Sequence, residues 1–455
     1  MYHDLESACR VKLPALSRAV AEFAAHSNIA TPSSRTVSNS IELYASDMPQ
    51  QRRRGQVETR HVTGISRRHW RLAKRQALFA CDSTSRRRGA RMTAHPLKLR
   101  SLTAVPVSIP LKRPVGTKAH SFRTAAFLLL TLDTEEGVSG RSYAFCYLES
   151  IARSLLPIVA DLSQVLAGHA VSPVELSNAV ARYFKLPGLY GPLCMVASSI
   201  DAAAWDALAV SANMPLATLL GATVTGVRAY NSNGLGLMEP SAAADEAEEL
   251  VAGGFRAVKM RVGRPTFAED LAAIRAVRNR LADDVNLMVD FNQALSFSAA
   301  MEYCPLLDEE GVYWIEEPIR HDDFTHASMI AAATRTPIQL GENLVSVPPL
   351  LNALKADATD YLMFDLDRIG GVSGWRLASG LALAAGREVS SHLFPEISAH
   401  LLAATPTMHW LEYLDWADPI LEEPLRIENG MAMLTSKPGN GITWNADGIE
   451  KYRLD

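Results

Sequence analysis

Cysteine is scarce in this chain. There are five in 455 residues: Cys9, Cys81, Cys146, Cys194 and Cys304. The number is odd and no pair has Cys-x-x-Cys spacing, which excludes a disulfide framework and a thiolate zinc site. A reducing cytoplasm is the expected compartment. An excess of one charge is also missing, the formal net charge being −4. The chain as a whole is therefore expected to bind neither nucleic acid nor a membrane surface. Long apolar runs are lacking too, and stretches such as Ala125–Leu132 are too short to span a bilayer. What remains is ordinary globular composition, and a chain of this length is expected to form two or more cores.

One absence is local. Between Pro49 and Arg91 only Glu58 and Asp82 oppose a series of arginines and lysines, including Arg52-Arg53-Arg54 and Arg86-Arg87-Arg88. No apolar period organises the stretch, so it reads as a solvated, disordered basic segment. Three readings are open for residues 1–91: a transit peptide, an arm contacting nucleic acid, or translation from a start assigned too early, with Met92 as the true start. Asp4, Glu6 and Glu22 fit a transit peptide poorly.

From Met92 onward the pattern becomes regular. Leu99–Leu111 and Ala126–Asp133 read as strands, the second ending at a Glu135-Glu136-Gly137 turn. Ile151–Ala167 and Ser198–Ala212 carry apolar residues at helical spacing. Residues 92–225 are thus expected to form an α+β domain. Short apolar or β-branched runs then alternate with amphipathic helices: Val227–Tyr230, Val258–Val262, Leu287–Asp290, Val312–Ile315, Ile338–Leu340, Tyr361–Phe364, Glu388–Ser391 and Met408–Leu411. Phe267–Leu281 and Leu377–Ala385 are among the helices between them. Eight strands in repeated βα units predict an α/β fold, a TIM-like (β/α)7β barrel over 226–425, with the α+β domain as a cap. Residues 426–455 break the alternation and are expected to pack back on the cap.

A polar residue ends each late strand. Lys259-Met260-Arg261, Asp290-Phe291-Asn292, Glu316-Glu317-Pro318, Gly341-Glu342-Asn343, Asp365, His392 and Glu412 follow in order. Residues 290, 316 and 342 are each 26 apart, which places three carboxylates on adjacent strand ends of one barrel face. Any one of them alone is more simply a helix cap. Three together repel unless a cation neutralises them, and all-oxygen donors favour Mg²⁺ over zinc or copper. His400 and His409 fall in an apolar run and read as packing. Asp201, Trp205 and Asp206 read as core plus surface. Glu317 reads as support for Glu316.

The runs Glu316-Glu317-Pro318, Gly341-Glu342-Asn343, Ile369-Gly370-Gly371, Ser390-Ser391-His392-Leu393-Phe394 and Glu396–Pro406 through Glu412 resemble the enolase superfamily, mandelate racemase group. The similarity runs from Met92 to the C-terminus. The resemblance implies that Asp290, Glu316 and Glu342 bind Mg²⁺ and that His392, paired with Asp365, is the general base. Glu412 would hydrogen-bond the substrate carboxylate in its acid form, and Lys259 would neutralise one carboxylate oxygen. Asn292 and Ser232 match further substrate-contacting positions. The resemblance also implies a homo-oligomer.

One position departs from that pattern. Racemases of the group carry Lys-x-Lys where this chain has Lys259-Met260-Arg261, and an arginine is a poor base at neutral pH. A dehydratase needs one base, and His392 can serve as base and then acid. The expected reaction is therefore abstraction of the proton alpha to the carboxylate of a small hydroxy acid, followed by dehydration of an acid sugar or similar compound. A 2-hydroxy acid racemase or epimerase is the alternative, and a non-catalytic metal-binding barrel is the alternative from another class. The loop Pro114–Arg123, with Thr117, Lys118, His120, Ser121 and Arg123, predicts a polar lid over the substrate. Tyr143, Phe145 and Tyr147 could add apolar walls.

Overall fold

The computed structural model describes residues 96–118, 120–223 and 225–455. The three readings of residues 1–91 lie outside the described residues. Three antiparallel strands open the described chain in the order β1 (Leu99–Gly116), β2 (Ser121–Thr134) and β3 (Ser139–Phe145). Side chains alternate between the faces of a strand. On β2, Phe127 and Leu129 enter one core while Leu128, Leu130 and Leu132 enter another. Both faces are covered, which is why Ala125–Leu132 reads as an unbroken apolar run.

The stretch expected as one helix from Ile151 is two, Glu149–Ser154 and Leu156–Leu166. Pro157 has no N–H to donate into a continuous helix, so the chain restarts there. Pro173–Tyr183 follows, and then Pro192–Ser211, longer than the sequence reading at its start. That last helix is long and apolar enough to cross a membrane, yet 72% of the span is buried inside the fold. Asp201 and Asp206 on it are not at the surface, being 3% and 2% exposed. Asp201 accepts from the main-chain N–H and hydroxyl of Ser373, at 2.9 and 2.6 Å. Asp206 accepts from the N–H groups of Arg141 and Asn440, at 2.7 and 2.6 Å. Each carboxylate thus replaces lost water with main-chain donors, and the helix is tied to barrel and tail alike. Gly371 makes the approach to Asp201 feasible. Its φ is +68°, and a Cβ there would sit 2.5 Å from Asp201 Oδ1.

The barrel strands follow: β4 (Gly226–Asn231), β5 (Ala257–Arg261), β6 (Asn286–Asp290), β7 (Val312–Glu316), β8 (Ile338–Leu340), β9 (Tyr361–Asp365), β10 (Glu388–His392) and β11 (Leu411–Tyr413). β4 to β10 form one parallel ladder in chain order, and β11 pairs with β4. The Ser391 N–H donates to Trp410 O at 3.0 Å, which joins β10 to the β11 segment and closes the ring. The fold is the capped TIM-like barrel. Tyr230, Met288, Trp314, Met363 and Trp410 pack together as a buried cluster, as expected for a filled barrel interior.

The chain after Leu425 does two things. β12 (Arg426–Glu428) and β13 (Met431–Met433) form a hairpin through Asn429-Gly430, both at positive φ, and β13 pairs antiparallel with β4. An Asn-Gly pair suits the tight turn that needs two such residues. The final helix, Ala446–Tyr452, then packs against β1 of the cap. The barrel pairing has no signal in the alternation pattern, because the hairpin strands are only three residues long.

Candidate active site

Parallel strands bring their carboxyl ends to one face, and the register here sets three charged residues level. Arg261 pairs with Asp290, and Asp290 with Glu316. Glu342 lies two residues beyond β8, after Gly341. At Gly341 φ is +139°, and a Cβ would sit 2.3 Å from Met363 O. Only glycine lets the chain turn there and carry Glu342 to the other two. One oxygen from each of Asp290, Glu316 and Glu342 lies within 4.8 Å of the others, and all three residues are buried. Burial pushes the Asp290 and Glu316 carboxyls up, Lys259 pulls them down, and the neighbouring carboxylates push them up again.

Each carboxylate is held in place. Trp314 Nε1 donates to Glu316 at 3.1 Å, the Asn292 N–H to Asp290 at 2.8 Å, and Asn343 Nδ2 to Glu342 at 3.1 Å. Asn292 Nδ2 also donates to Asp290 at 2.9 Å, and its Oδ1 is buried with no partner. A hard divalent cation fits this donor set, since three aimed carboxylates lack the charge that would make their burial favourable. Glu317 turns away at φ 37° and accepts from Asn343 Nδ2 at 2.7 Å, so its tie is to Asn343.

Lys259 is 1% exposed and lies 2.8 Å from Glu316, 3.0 Å from Glu412 and 3.4 Å from Asp290. Burial alone would lower its pKa, but Glu316, Glu412, Tyr230 and Asp290 outweigh burial and hold the ammonium charged. Burial likewise pushes the Glu412 carboxyl up. Lys259, His392, Arg261 and the Leu393 N–H overcome that and hold it well below the usual carboxylate range. These neighbours favour the anionic form of Glu412 in this arrangement. The acid form requires a second anion, such as a substrate carboxylate, to compete for Lys259.

Arg261 is committed to its own surroundings. It donates to Ser232 O at 2.6 Å, Gly234 O at 3.0 Å and Ser232 Oγ at 2.9 Å. Ser232 in turn donates to Glu412 at 2.7 Å. Of the residues expected to contact substrate, Asn292, Lys259 and Glu412 line the cavity at the strand ends, whereas Ser232 does not.

His392 and Asp365 end adjacent strands in register. Nδ1 lies 2.6 Å from Asp365 Oδ2, and Nε2 lies 3.4 Å from Glu342 and 4.0 Å from Glu412. An ionised Asp365 accepts the Nδ1 proton and leaves Nε2 as the basic nitrogen. Burial lowers the imidazole pKa, and Glu342, Glu412 and Asp365 together raise it to about 9. A cation held by the carboxylates would offset the Glu342 contribution and so lower the imidazole pKa.

The roof differs from the polar lid expected. The cavity, about 80 Å³, is covered by Val115, Thr117, Phe122, Phe145, Tyr147, Leu393, Leu414 and Trp416. Lys118 donates to Ala294 O at 3.0 Å, and His120, Ser121 and Arg123 are exposed. Alternation along β2 sends Phe122 inward and Ser121 and Arg123 outward. Phe145 and Tyr147 stand in the roof, while Tyr143 lies deeper and donates to Glu396 at 2.5 Å. His400 and His409 are packing residues. His400 Nδ1 accepts from the Ala217 N–H at 3.1 Å, and His409 meets Tyr313 Oη at 2.7 Å.

Comparison with known proteins agrees with this architecture. Residues 99–221 match the mandelate racemase/muconate lactonizing enzyme N-terminal domain, and residues 242–448 match the enolase C-terminal domain-like family. A magnesium-bound enolase from alpha pretobacterium bal199 is 41% identical, with a TM-score of 0.77 over 79% of this chain and 100% of that one. This chain belongs to the enolase superfamily, mandelate racemase/muconate lactonizing enzyme group. Another solved member, a Bradyrhizobium enolase complexed with magnesium and mandelic acid, is 36% identical, with a TM-score of 0.75 over 80% of this chain and all of that one. The L-talarate/galactarate dehydratase of Salmonella typhimurium is 35% identical over 260 residues, which are 56% of this chain and 65% of that enzyme. Members of the superfamily as different as these share the cap and barrel, so this enolase-superfamily enzyme must be read from its own site. Sequence reasoning missed Phe122, Leu414, Trp416 and Arg368 as residues around that site. Phe122 carried a signal, an apolar residue alternating with exposed neighbours. Leu414 and Trp416 lie in the loop after β11 and Arg368 in a four-residue helix, too short for a period to mark the inward side.

Proposed function

We propose that this enzyme holds Mg²⁺ on Asp290, Glu316 and Glu342 and removes the proton alpha to the carboxylate of a small hydroxy acid from one face, with loss of water as the outcome. The observation that carries the reading is the contrast between His392 and Arg261. The imidazole has an orienting carboxylate on Nδ1, while its Nε2, 3.4 Å from Glu342, belongs to the residue lining the cavity. The guanidinium spends its donors on Ser232 and Gly234 and has no lone pair with which to take a proton.

When bound, the cation supplies a Lewis acid for the substrate carboxylate. Lys259 places an ammonium where negative charge grows on that carboxylate as the proton leaves. His392 Nε2 accepts the alpha proton, and Asp365 stabilises the imidazolium that forms. The same nitrogen then returns the proton to a departing 3-hydroxyl. The carbon–oxygen bond breaks, water leaves, and the resulting enol becomes a 2-keto acid.

A second reading has its own support. The cavity lining carries no cation beyond Lys259, Arg261 and His392 among the described residues, so a second substrate carboxylate would lack a partner. The roof is mainly apolar, and a relative binds mandelic acid. Racemisation of an aryl 2-hydroxy acid fits the roof but lacks the second base. A 2,3-dihydroxy acid with an apolar end satisfies both observations.

The test incubates purified protein and Mg²⁺ in D₂O with aldonic, aldaric, 2,3-dihydroxy and aryl 2-hydroxy acids. It reads 2-keto acid formation and alpha-proton exchange. Keto acid formation supports dehydration. Exchange with inversion and no keto acid overturns it in favour of racemisation. No exchange with any acid favours a non-catalytic barrel.

A further inference from the structure

Arg368 has no part in the chemistry above, yet it contacts Asp365, the Glu342-Asn343 segment and the roof residue Tyr147. It sits in the short helix Leu366–Ile369 that follows β9. Its main-chain N–H donates to Asp365 Oδ1 at 3.0 Å, while Asp365 Oδ2 holds His392. Its guanidinium points the other way. One amino group meets the side-chain oxygen of Asn343 and the main-chain oxygen of Glu342, the latter at 3.5 Å. The other donates to the Tyr147 hydroxyl at 2.6 Å, with the guanidinium carbon 5.5 Å from the centre of the tyrosine ring. Tyr147 is a roof residue, and its φ of 61° is a conformation that a non-glycine residue keeps only when its surroundings hold it.

We propose that Arg368 is a positioning residue that fastens two parts of the site with one side chain, Tyr147 of the aromatic roof through one amino group and the Glu342-Asn343 segment through the other. A planar fork reaches an amide on one side and a phenol on the other, which a lysine ammonium cannot do at once. The inference rests on reading Glu342 as a cation ligand and Tyr147 as part of the substrate roof.

The test uses the full chain and two readouts that need no turnover: hydrogen–deuterium exchange of peptides spanning 114–123 and 143–148, and Mg²⁺ affinity by calorimetry. Arg368→Ala is expected to speed exchange in both roof peptides about tenfold, as loss of a charge-assisted hydrogen bond implies. It is also expected to weaken Mg²⁺ binding about tenfold, the usual effect of removing a group that orients a metal ligand. Tyr147→Phe should loosen the roof peptides while Mg²⁺ affinity stays within about twofold. Arg368→Lys should restore part of the Mg²⁺ affinity and little of the roof protection. Exchange that rises evenly along the chain would show a merely structural role and overturn the proposal. Wild-type roof protection in Arg368→Ala would also sink it. If the wild-type protein binds no Mg²⁺, the ligand reading falls, and the roof peptides alone decide whether Arg368 fastens Tyr147.

Discussion

Replacing Lys259 by methionine separates the two cations expected at this site. The ammonium is buried and touches Glu316, Glu412 and Asp290 at 2.8, 3.0 and 3.4 Å. At an effective dielectric of ~20, each such contact is worth roughly 5–6 kcal/mol of Coulomb energy. Most of that attraction offsets the cost of taking the charges out of water. Removing one partner of a buried charge cluster typically costs about 3–5 kcal/mol net, and that is the loss expected for Lys259→Met without metal. Methionine fills the lysine stem's volume, so little of the loss comes from packing. Mg²⁺ should behave in the opposite way. Lys259 repels a cation on Asp290 and Glu316, so the variant should bind Mg²⁺ at least as tightly as wild type. Metal at a hundred times its dissociation constant should restore about 2.7 kcal/mol. The assay is urea denaturation with and without Mg²⁺, alongside calorimetry. A stability loss below about 1 kcal/mol, or a variant that loses Mg²⁺ affinity, would refute the view that ammonium and metal share one set of carboxylates.

Three further outcomes are expected. His392→Asn should slow alpha-proton exchange by at least the 10²–10⁴-fold that general base catalysis typically supplies, with Mg²⁺ affinity within a few-fold, and persistent exchange would assign the base elsewhere. Arg261→Lys supplies an ammonium that can lose its proton. Gain of stereoinversion in chiral analysis of recovered substrate supports the one-base reading of the wild type, and unchanged stereochemistry argues that Arg261 does not set the outcome. Burial lowers the His400 and His409 pKa values to about 4 and about 3. The folded state then disfavours the protons that the unfolded chain binds, so stability is full above about pH 6.5 and falls as pH drops toward those values. Each histidine contributes a slope of up to about 1.4 kcal/mol per pH unit. Denaturation of His409→Gln from pH 7 to 4 should show a shallower loss, and an unchanged slope would remove His409 from the account.

The floor of the site was legible because its spacing is imposed by the fold. A βα unit of fixed length puts Asp290, Glu316 and Glu342 at equal intervals, and strand ends all face one way. The roof was not legible in the same manner. Lys118, His120 and Arg123 are polar residues on a loop near the substrate, and composition alone cannot say that they turn outward while Phe122 turns in. With Trp205, Asp201 and Asp206 read from sequence only as core plus surface, and both acids prove buried. Their partners are main-chain N–H groups of Ser373, Asn440 and Arg141, which have no sequence signature. The charge state of Glu412 depends on Lys259, His392 and Arg261 meeting around it, a sum that requires coordinates. The helix break was missed although its cause stood in the sequence: Ile151–Ala167 read as one helix, and the missing N–H of Pro157 accounts for the restart near Leu156.

The helix Pro192–Ser211 has a consequence for how the chain is made. Its small side chains are covered partly by β3 and partly by the helix Gly371–Ala385, where Gly371 and Ser373 meet Asp201. That covering helix is synthesised about 160 residues later, which is roughly 8–32 s at a rate of ~5–20 residues per second. During that interval the growing chain presents a segment that matches a membrane span in length and hydropathy. A ribosome-bound chain halted between the cap and the barrel should therefore be a client for chaperones, and fragments ending near residue 225 should aggregate where the full chain does not.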